Sequence, residues 1–217
     1  MADGSLVSRD ARGRLRARVV PLARAMARIG LTANMLTVLG FGIAIVAAFM
    51  AGLQWWLAAG LVSVFGAAFD LFDGAVARVT GSASKFGAFL DSTFDRWGEG
   101  LLYTGIAAGC MAAGDTATAL LAVLTLNSAV MVTYTRARAE GLGLRGDVGI
   151  APRPERVVIL GAGLVLCGLA GGVRAAIPWL QIALGILLVL TTITVFQRIV
   201  HVRRQAAEQQ RGTQQDS

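Results

Sequence analysis

Six apolar runs, at residues 35–53, 55–72, 86–113, 116–134, 157–173 and 177–196, occupy most of this 217-residue chain. A helix needs about 20 consecutive apolar residues to cross a bilayer. Within the hydrocarbon only helices and closed barrels satisfy every backbone donor and acceptor. Runs of this length predict an all-α integral membrane protein with six transmembrane helices. The low charge content, 15% against 55% hydrophobic residues, excludes an ordinary soluble domain.

The few charges are unevenly spread. The formal charge is +7, and Lys85 is the only lysine. Arginines gather before the first run, between Arg136 and Arg156, and after the last run at Arg198, Arg203, Arg204 and Arg211; Arg78 and Lys85 join that side. The loops on the opposite side carry Asp115 and Arg174 alone. By the positive-inside bias both termini are cytoplasmic, and the basic excess speaks to topology and anionic lipid rather than nucleic acid. The expected location is a cell membrane crossed several times.

Upstream of the first run, Leu15, Val19, Leu22, Met26 and Ile29 recur at steps of three and four, with arginines on the other faces and Pro21 in the middle. This pattern predicts an amphipathic juxtamembrane helix at headgroup level, after a disordered stretch from Met1 to Ser8. Gly30 then ends the helix and Thr32 caps the first span. No cleavable leader is expected. The chain divides into a surface arm at 1–30, a six-helix membrane domain at 31–202 and a polar tail at 203–217. Trp55, Trp56 and Trp179 read as anchors at the far interface, while Cys110 and Cys167 read as core residues.

The chemistry concentrates between Asp70 and Asp95. Asp70 and Asp73 are three apart, Asp91 and Asp95 four apart, so each pair lies on one helical face. Ionised groups at the ends of apolar runs are costly and mark function. With a tight bend over 78–84 the two pairs face each other, and four carboxylates together need a shared cation. Oxygen donors with no His or Cys beside them suit Mg²⁺ or Mn²⁺. Gly74 and Gly87 leave room for a ligand, and Arg78 is placed to meet phosphate. Glu99 extends the Asp91, Asp95 face as a supporting acid or the partner of an arginine, and Arg96 is expected to be structural.

A second cluster flanks a glycine-rich loop. Thr133, Arg136 and Arg138 close the fourth run and Arg153 and Arg156 open the fifth. Guanidinium forks match phosphate oxygens in pairs, which makes this set a candidate site for a phosphorylated ligand. Glu140 and Glu155 can orient the arginines from behind. Any one of these arginines serves equally well as a positive-inside charge.

Asp70, Asp73, Gly74, Ala77, Arg78, Gly87, Asp91 and Asp95 fill all eight positions of a signature, and by them the chain resembles the CDP-alcohol phosphotransferases. A Thr-x-Asn turn at Thr32 and Asn34 fits the same family, with Ala33 where proline is common. The resemblance implies transfer of a substituted phosphate from a CDP-linked lipid to an alcohol, with release of CMP. Asp70, Asp73, Asp91 and Asp95 would hold one or two divalent metals. Asp73, Gly74, Ala77, Arg78 and Gly87 would shape the CDP-lipid site, and Asp95 would also be the general base. A homodimer is implied as well.

The arginines at 136, 138, 153 and 156 resemble the prokaryotic phosphatidylinositol phosphate synthases, which implies CDP-diacylglycerol as donor and inositol 1-phosphate as acceptor. Glycerol 3-phosphate, the acceptor of a phosphatidylglycerophosphate synthase, satisfies the same arginines. An ion or proton transporter ranks far lower, because its carboxylates would sit near the midplane between repeated halves.

Overall fold

The computed structural model describes residues 20–215, with side chains described as far as residue 211. Helix α1 is described over residues 20–28. It is followed by α2 (Ala33–Gly52), α3 (Trp56–Thr80), α4 (Lys85–Ala112), α5 (Thr116–Gly141), α6 (Arg153–Leu169) and α7 (Trp179–Gln215). No strand occurs among the described residues. The expected disorder of Met1–Ser8 and the expected helical positions Leu15 and Val19 lie outside them.

The helices start where the chain supplies caps. Gly30 takes a positive φ of 86° after α1, and Thr32 then accepts from the Met35 amide to open α2. Ser84 caps α4 through the Gly87 amide and Asp115 caps α5 through the Thr118 amide. Each side chain satisfies one of the four donors a helix start leaves unpaired. Gly81, left-handed at φ 67°, closes α3.

Four helices, α2, α3, α5 and α7, are long and apolar enough to cross a bilayer. The chain is therefore an all-helical, multi-pass membrane protein. α4 spreads Lys85, Asp91, Asp95, Arg96 and Glu99 over its first half, and α6 has 17 residues, so the other two expected crossings do not stand out by composition. Their packing runs with the rest: Trp56 of α3 lies against Gly109 of α4, and Arg174 beyond α6 donates to the Ala113 carbonyl after α4. The α2–α3, α4–α5 and α6–α7 turns thus share one end of the bundle.

Small residues set the closest crossings. A Cβ on Gly105 or Gly109 of α4 would collide with the carbonyl oxygens of Ala48 or Ala51 in α2, and one on Gly168 of α6 would collide with the Leu57 backbone in α3. Backbones that approach this closely gain dispersion contacts, the main attraction between helices in lipid. α5 and α7 are joined instead by hydroxyls: Thr191 donates to Ser128 at 2.8 Å, Ser128 and Thr192 are 3.1 Å apart, and Thr125 reaches the Leu184 carbonyl at 3.2 Å.

Several boundaries differ from expectation. α3 continues eight residues past 72 to Thr80, shortening the bend to four residues, and α5 runs on to Gly141, so Arg136 and Arg138 are helical. α7 runs from Trp179 to Gln215 as one helix, and the polar tail continues it because the sequence there is rich in the helix formers Arg, Gln and Ala. Trp56 is 4% exposed and belongs to the core, whereas its neighbour Trp55 is 59% exposed. Cys110 and Cys167 are buried free thiols, as expected of core residues.

Candidate active site

α3 brings Asp70, Asp73, Gly74, Ala77 and Arg78 toward the bend, and α4 carries Gly87, Asp91, Asp95 and Glu99 away from it. The backbones of the two helices stay apart along this stretch, and side chains join them at the far end, where Trp56 lies against Gly109. Both lean on α2, which separates them, and α6 closes against α3 from the other side. The carboxylates therefore line a cleft rather than a helix–helix seam. Thr37 of α2 reaches into it, donating to Asp73 Oδ2 at 3.1 Å, and Asp73 Oδ1 accepts from the Gly74 amide.

Two pockets meet at Asp91 and Thr37. One is lined by Asn34, Asp73, Gly74, Ala77, Arg78 and Gly87, and so unites the small residues of the motif with its arginine. Glycine matters here by its missing side chain. A Cβ on Gly74 would stand 3.3 Å from Arg78 Nη1, and one on Gly87 would stand 3.1 Å from Ser84 Oγ and 3.2 Å from Asn34 Oδ1. The other pocket holds Asp70, Asp91, Asp95, Glu99 and Arg153 at its polar end and runs down to Phe41, Leu102 and Leu160. A ligand with a polar head and an apolar body fits such a cavity.

Arg153, the first residue of α6, stands among the carboxylates. Its Nη1 lies 2.6 Å from Asp95 Oδ2 and its Nη2 lies 2.9 Å from Asp70 Oδ2. Arg156, one turn on, is 2% exposed and makes a two-pronged pair with Glu99, Nε to Oε1 at 2.9 Å and Nη2 to Oε2 at 2.8 Å. Its Nη1 donates to the Ala151 carbonyl at 3.4 Å. Arg96 faces Glu99 at 3.5 Å, Asp95 at 3.7 Å and Thr133 Oγ1 at 3.4 Å. The expected arginine set is thus divided. Arg153 is in the cleft, Arg156 is committed to Glu99, and Arg136 and Arg138 are exposed on α5, with Arg136 paired to Glu140 at 2.8 Å.

Thr37, Asn34 and Arg198 belong to this region and do not figure in the sequence reading as site residues. Thr37 left a signal, since it is the one polar side chain in the run 35–53. Arg198 is 5% exposed and donates to the carbonyls of Val148 and Val132, tying α7 to the α5–α6 loop and to α5. In sequence it is one more basic residue after a span.

The carboxylate set was tested for its fit to a divalent cation. Among the described residues no three of these acids close on one point, because Arg153 lies between Asp70 and Asp95. The charges nevertheless call for more cation than the cleft supplies. Asp91 acts electrostatically on Asp70, Asp73 and Asp95 alike. Against those four acids only Arg153 is shared by two of them, and Arg96 divides its charge with Glu99. An all-oxygen donor set with surplus negative charge fits Mg²⁺ or Mn²⁺.

The whole chain can now be set beside known proteins. The family model described as CDP-alcohol phosphatidyltransferase matches residues 30–205, which includes every residue of the cleft. The chain belongs to that family. It is accordingly a transferase. The phosphatidylinositol phosphate synthase of Mycolicibacterium smegmatis is 39% identical over 188 residues, 84% of this chain and 82% of that protein. The crystal structure of the Mycobacterium tuberculosis phosphatidylinositol phosphate synthase with CDP-DAG bound superposes with a TM-score of 0.77 at 33% identity, covering 85% of this chain and 92% of that one. A structure of the same protein in complex with manganese and citrate gives a TM-score of 0.78 at 33% identity, with 85% and 88% covered.

Proposed function

We propose that this protein is a phosphatidylinositol phosphate synthase, which transfers the phosphatidyl group of CDP-diacylglycerol to inositol 1-phosphate and releases CMP. The observation that carries the reading is the position of Arg153. A guanidinium that can grip a phosphate stands within hydrogen-bond reach of Asp95, so an acceptor held by its phosphate brings a hydroxyl beside a carboxylate base. The relatives with this name support the choice of acceptor.

The donor's cytidine and pyrophosphate fit the pocket of Asp73, Gly74, Ala77, Arg78 and Gly87, and its acyl chains continue toward the apolar wall of Phe41 and Leu160. Asp70, Asp73, Asp91 and Asp95 would hold one or two divalent cations, Mg²⁺ or Mn²⁺. Such ions neutralise charge on the pyrophosphate and polarise the attacked phosphorus. Asp95 takes the proton of the acceptor hydroxyl as its oxygen bonds to the phosphatidyl phosphorus. The bond from that phosphorus to the CMP oxygen breaks, and CMP leaves with the electron pair. Glu99 and Arg156 keep α4 and α6 in register so that Asp95 and Arg153 stay opposed.

In this reading all six long helices cross the bilayer, both termini face the cytoplasm, and the cleft opens on that side. Purified protein should release CMP from CDP-diacylglycerol when inositol 1-phosphate and Mg²⁺ or Mn²⁺ are supplied. Use of glycerol 3-phosphate with no turnover of inositol 1-phosphate would make it a phosphatidylglycerophosphate synthase instead. Full activity in excess chelator would remove the metal from the scheme.

A further inference from the structure

The loop between α5 and α6, residues 142–152, delivers Arg153 to the cleft, and it lies along α7. Gln205 binds the loop from both directions, its Oε1 accepting from the Arg145 amide at 2.9 Å and its Nε2 donating to the Arg145 carbonyl at 2.8 Å. Arg198 Nε donates to the Val148 carbonyl at 2.8 Å, and Thr194 Oγ1 accepts from the Ala151 amide at 3.1 Å. Thr194, Arg198 and Gln205 are spaced by four and seven, so they form one stripe of the helix. The same stripe begins inside the bundle with Leu184, Leu187 and Thr191, all buried. One face of α7 therefore packs on the bundle in its first half and on a loop in its second.

The loop leaves no slack against that face. Gly149 has a φ of 131°, and a Cβ there would collide with Thr194 Cγ2; at Gly146 a Cβ would stand 2.9 Å from the Arg136 Cα of α5. Glycines at 143, 146 and 149 make a free loop costly to order. The three anchors on α7, with Arg156 holding Ala151, supply the order that the loop's own sequence lacks.

We infer that the stretch of α7 from Thr194 to Gln205 is a splint for this loop, and that Gln205 and Thr194 are positioning residues that set where Arg153 stands in the cleft. Neither touches the carboxylates. The inference rests on the assignment of Arg153 to the acceptor phosphate, and it predicts that the two residues act on acceptor recognition alone.

The test uses the full chain in detergent, with Gln205→Met, Gln205→Glu and Thr194→Val. Amide hydrogen exchange over residues 143–151 should quicken in Gln205→Met and Thr194→Val. The KM for inositol 1-phosphate should rise between about five- and a hundredfold in Gln205→Met, the span of two neutral hydrogen bonds. The KM for CDP-diacylglycerol should stay within about twofold. Gln205→Glu keeps the bond to the Arg145 amide and should fall between. Unchanged loop exchange in both Gln205→Met and Thr194→Val would overturn the splint, as would equal increases in both Michaelis constants. Faster loop exchange in a protein whose wild type ignores inositol 1-phosphate would remove the acceptor assignment while leaving the splint in place.

Discussion

At the scale of single residues, Asp95 and Glu99 sit one turn apart on α4 and do different work. Asp95 meets Arg153 at the cleft, whereas Glu99 meets the buried Arg156 behind it. Asp95→Asn should retain CDP-diacylglycerol binding and lose turnover by roughly 10² to 10⁴-fold, the range for loss of a general base. Binding measured by calorimetry beside steady-state kinetics checks this, and parallel loss of both would reassign Asp95 as chiefly a metal ligand. Glu99→Gln leaves the Arg156 charge buried without its partner, a change that costs roughly 3 to 5 kcal/mol in comparable sites. A lower unfolding midpoint in detergent should therefore accompany its loss of activity, while Asp95→Asn keeps the wild-type midpoint. The four aspartates were legible in the sequence because spacing alone puts them on two helical faces. The division of labour among Arg153, Arg156, Arg136 and Arg138 was not. It depends on which turn of α6 faces α4, and that is fixed by the crossing of helices distant in sequence.

At the scale of elements, α2 holds the cleft open. It packs on both α3 and α4, whose backbones stay apart beside the cleft, and its contact with α4 is set by Gly98, Gly105 and Gly109. Gly105→Ala would drive a methyl group into the Ala48 carbonyl, a backbone atom that cannot swing aside as a flexible side chain can. Overpacking of this kind costs about 1 to 3 kcal/mol. The variant should melt earlier and lose activity in parallel, with no shift in the relative use of acceptors; a wild-type melting curve would mean that α2 and α4 part without penalty. Helix existence and order were legible from the apolar runs, and the caps at Thr32 and Gly30 from local chemistry. The ends of α3 and α5 were not, since hydropathy falls where each helix leaves the hydrocarbon and the helix itself continues. The place of Trp56 beside a turn predicts an interfacial anchor. Trp56 is buried because Gly109 makes room for its indole.

At the scale of the whole molecule, the number of crossings is the quantity that composition and packing judge differently. Composition marks α2, α3, α5 and α7 as spans. Packing aligns α4 and α6 with them, since the turns after α2, α4 and α6 meet around Trp56, Ala113 and Arg174. The two counts make opposite statements about two loops. With six crossings, residue 116 lies on the far side and residue 142 shares a side with residues 82 and 211. With four, each of those two loops changes sides. Cys110 and Cys167 are 0% and 1% exposed, so they should stay silent toward a membrane-impermeant thiol reagent. Single cysteines at the exposed positions Ser82, Thr116, Leu142 and Arg211 then report each side separately. With reagent added to intact cells, Thr116→Cys should be labelled while Ser82→Cys, Leu142→Cys and Arg211→Cys react only after the membrane is opened. Labelling of Leu142→Cys in intact cells would leave four crossings. It would also put Arg145 and its loop on the opposite side from Gln205, which the hydrogen bonds between them forbid.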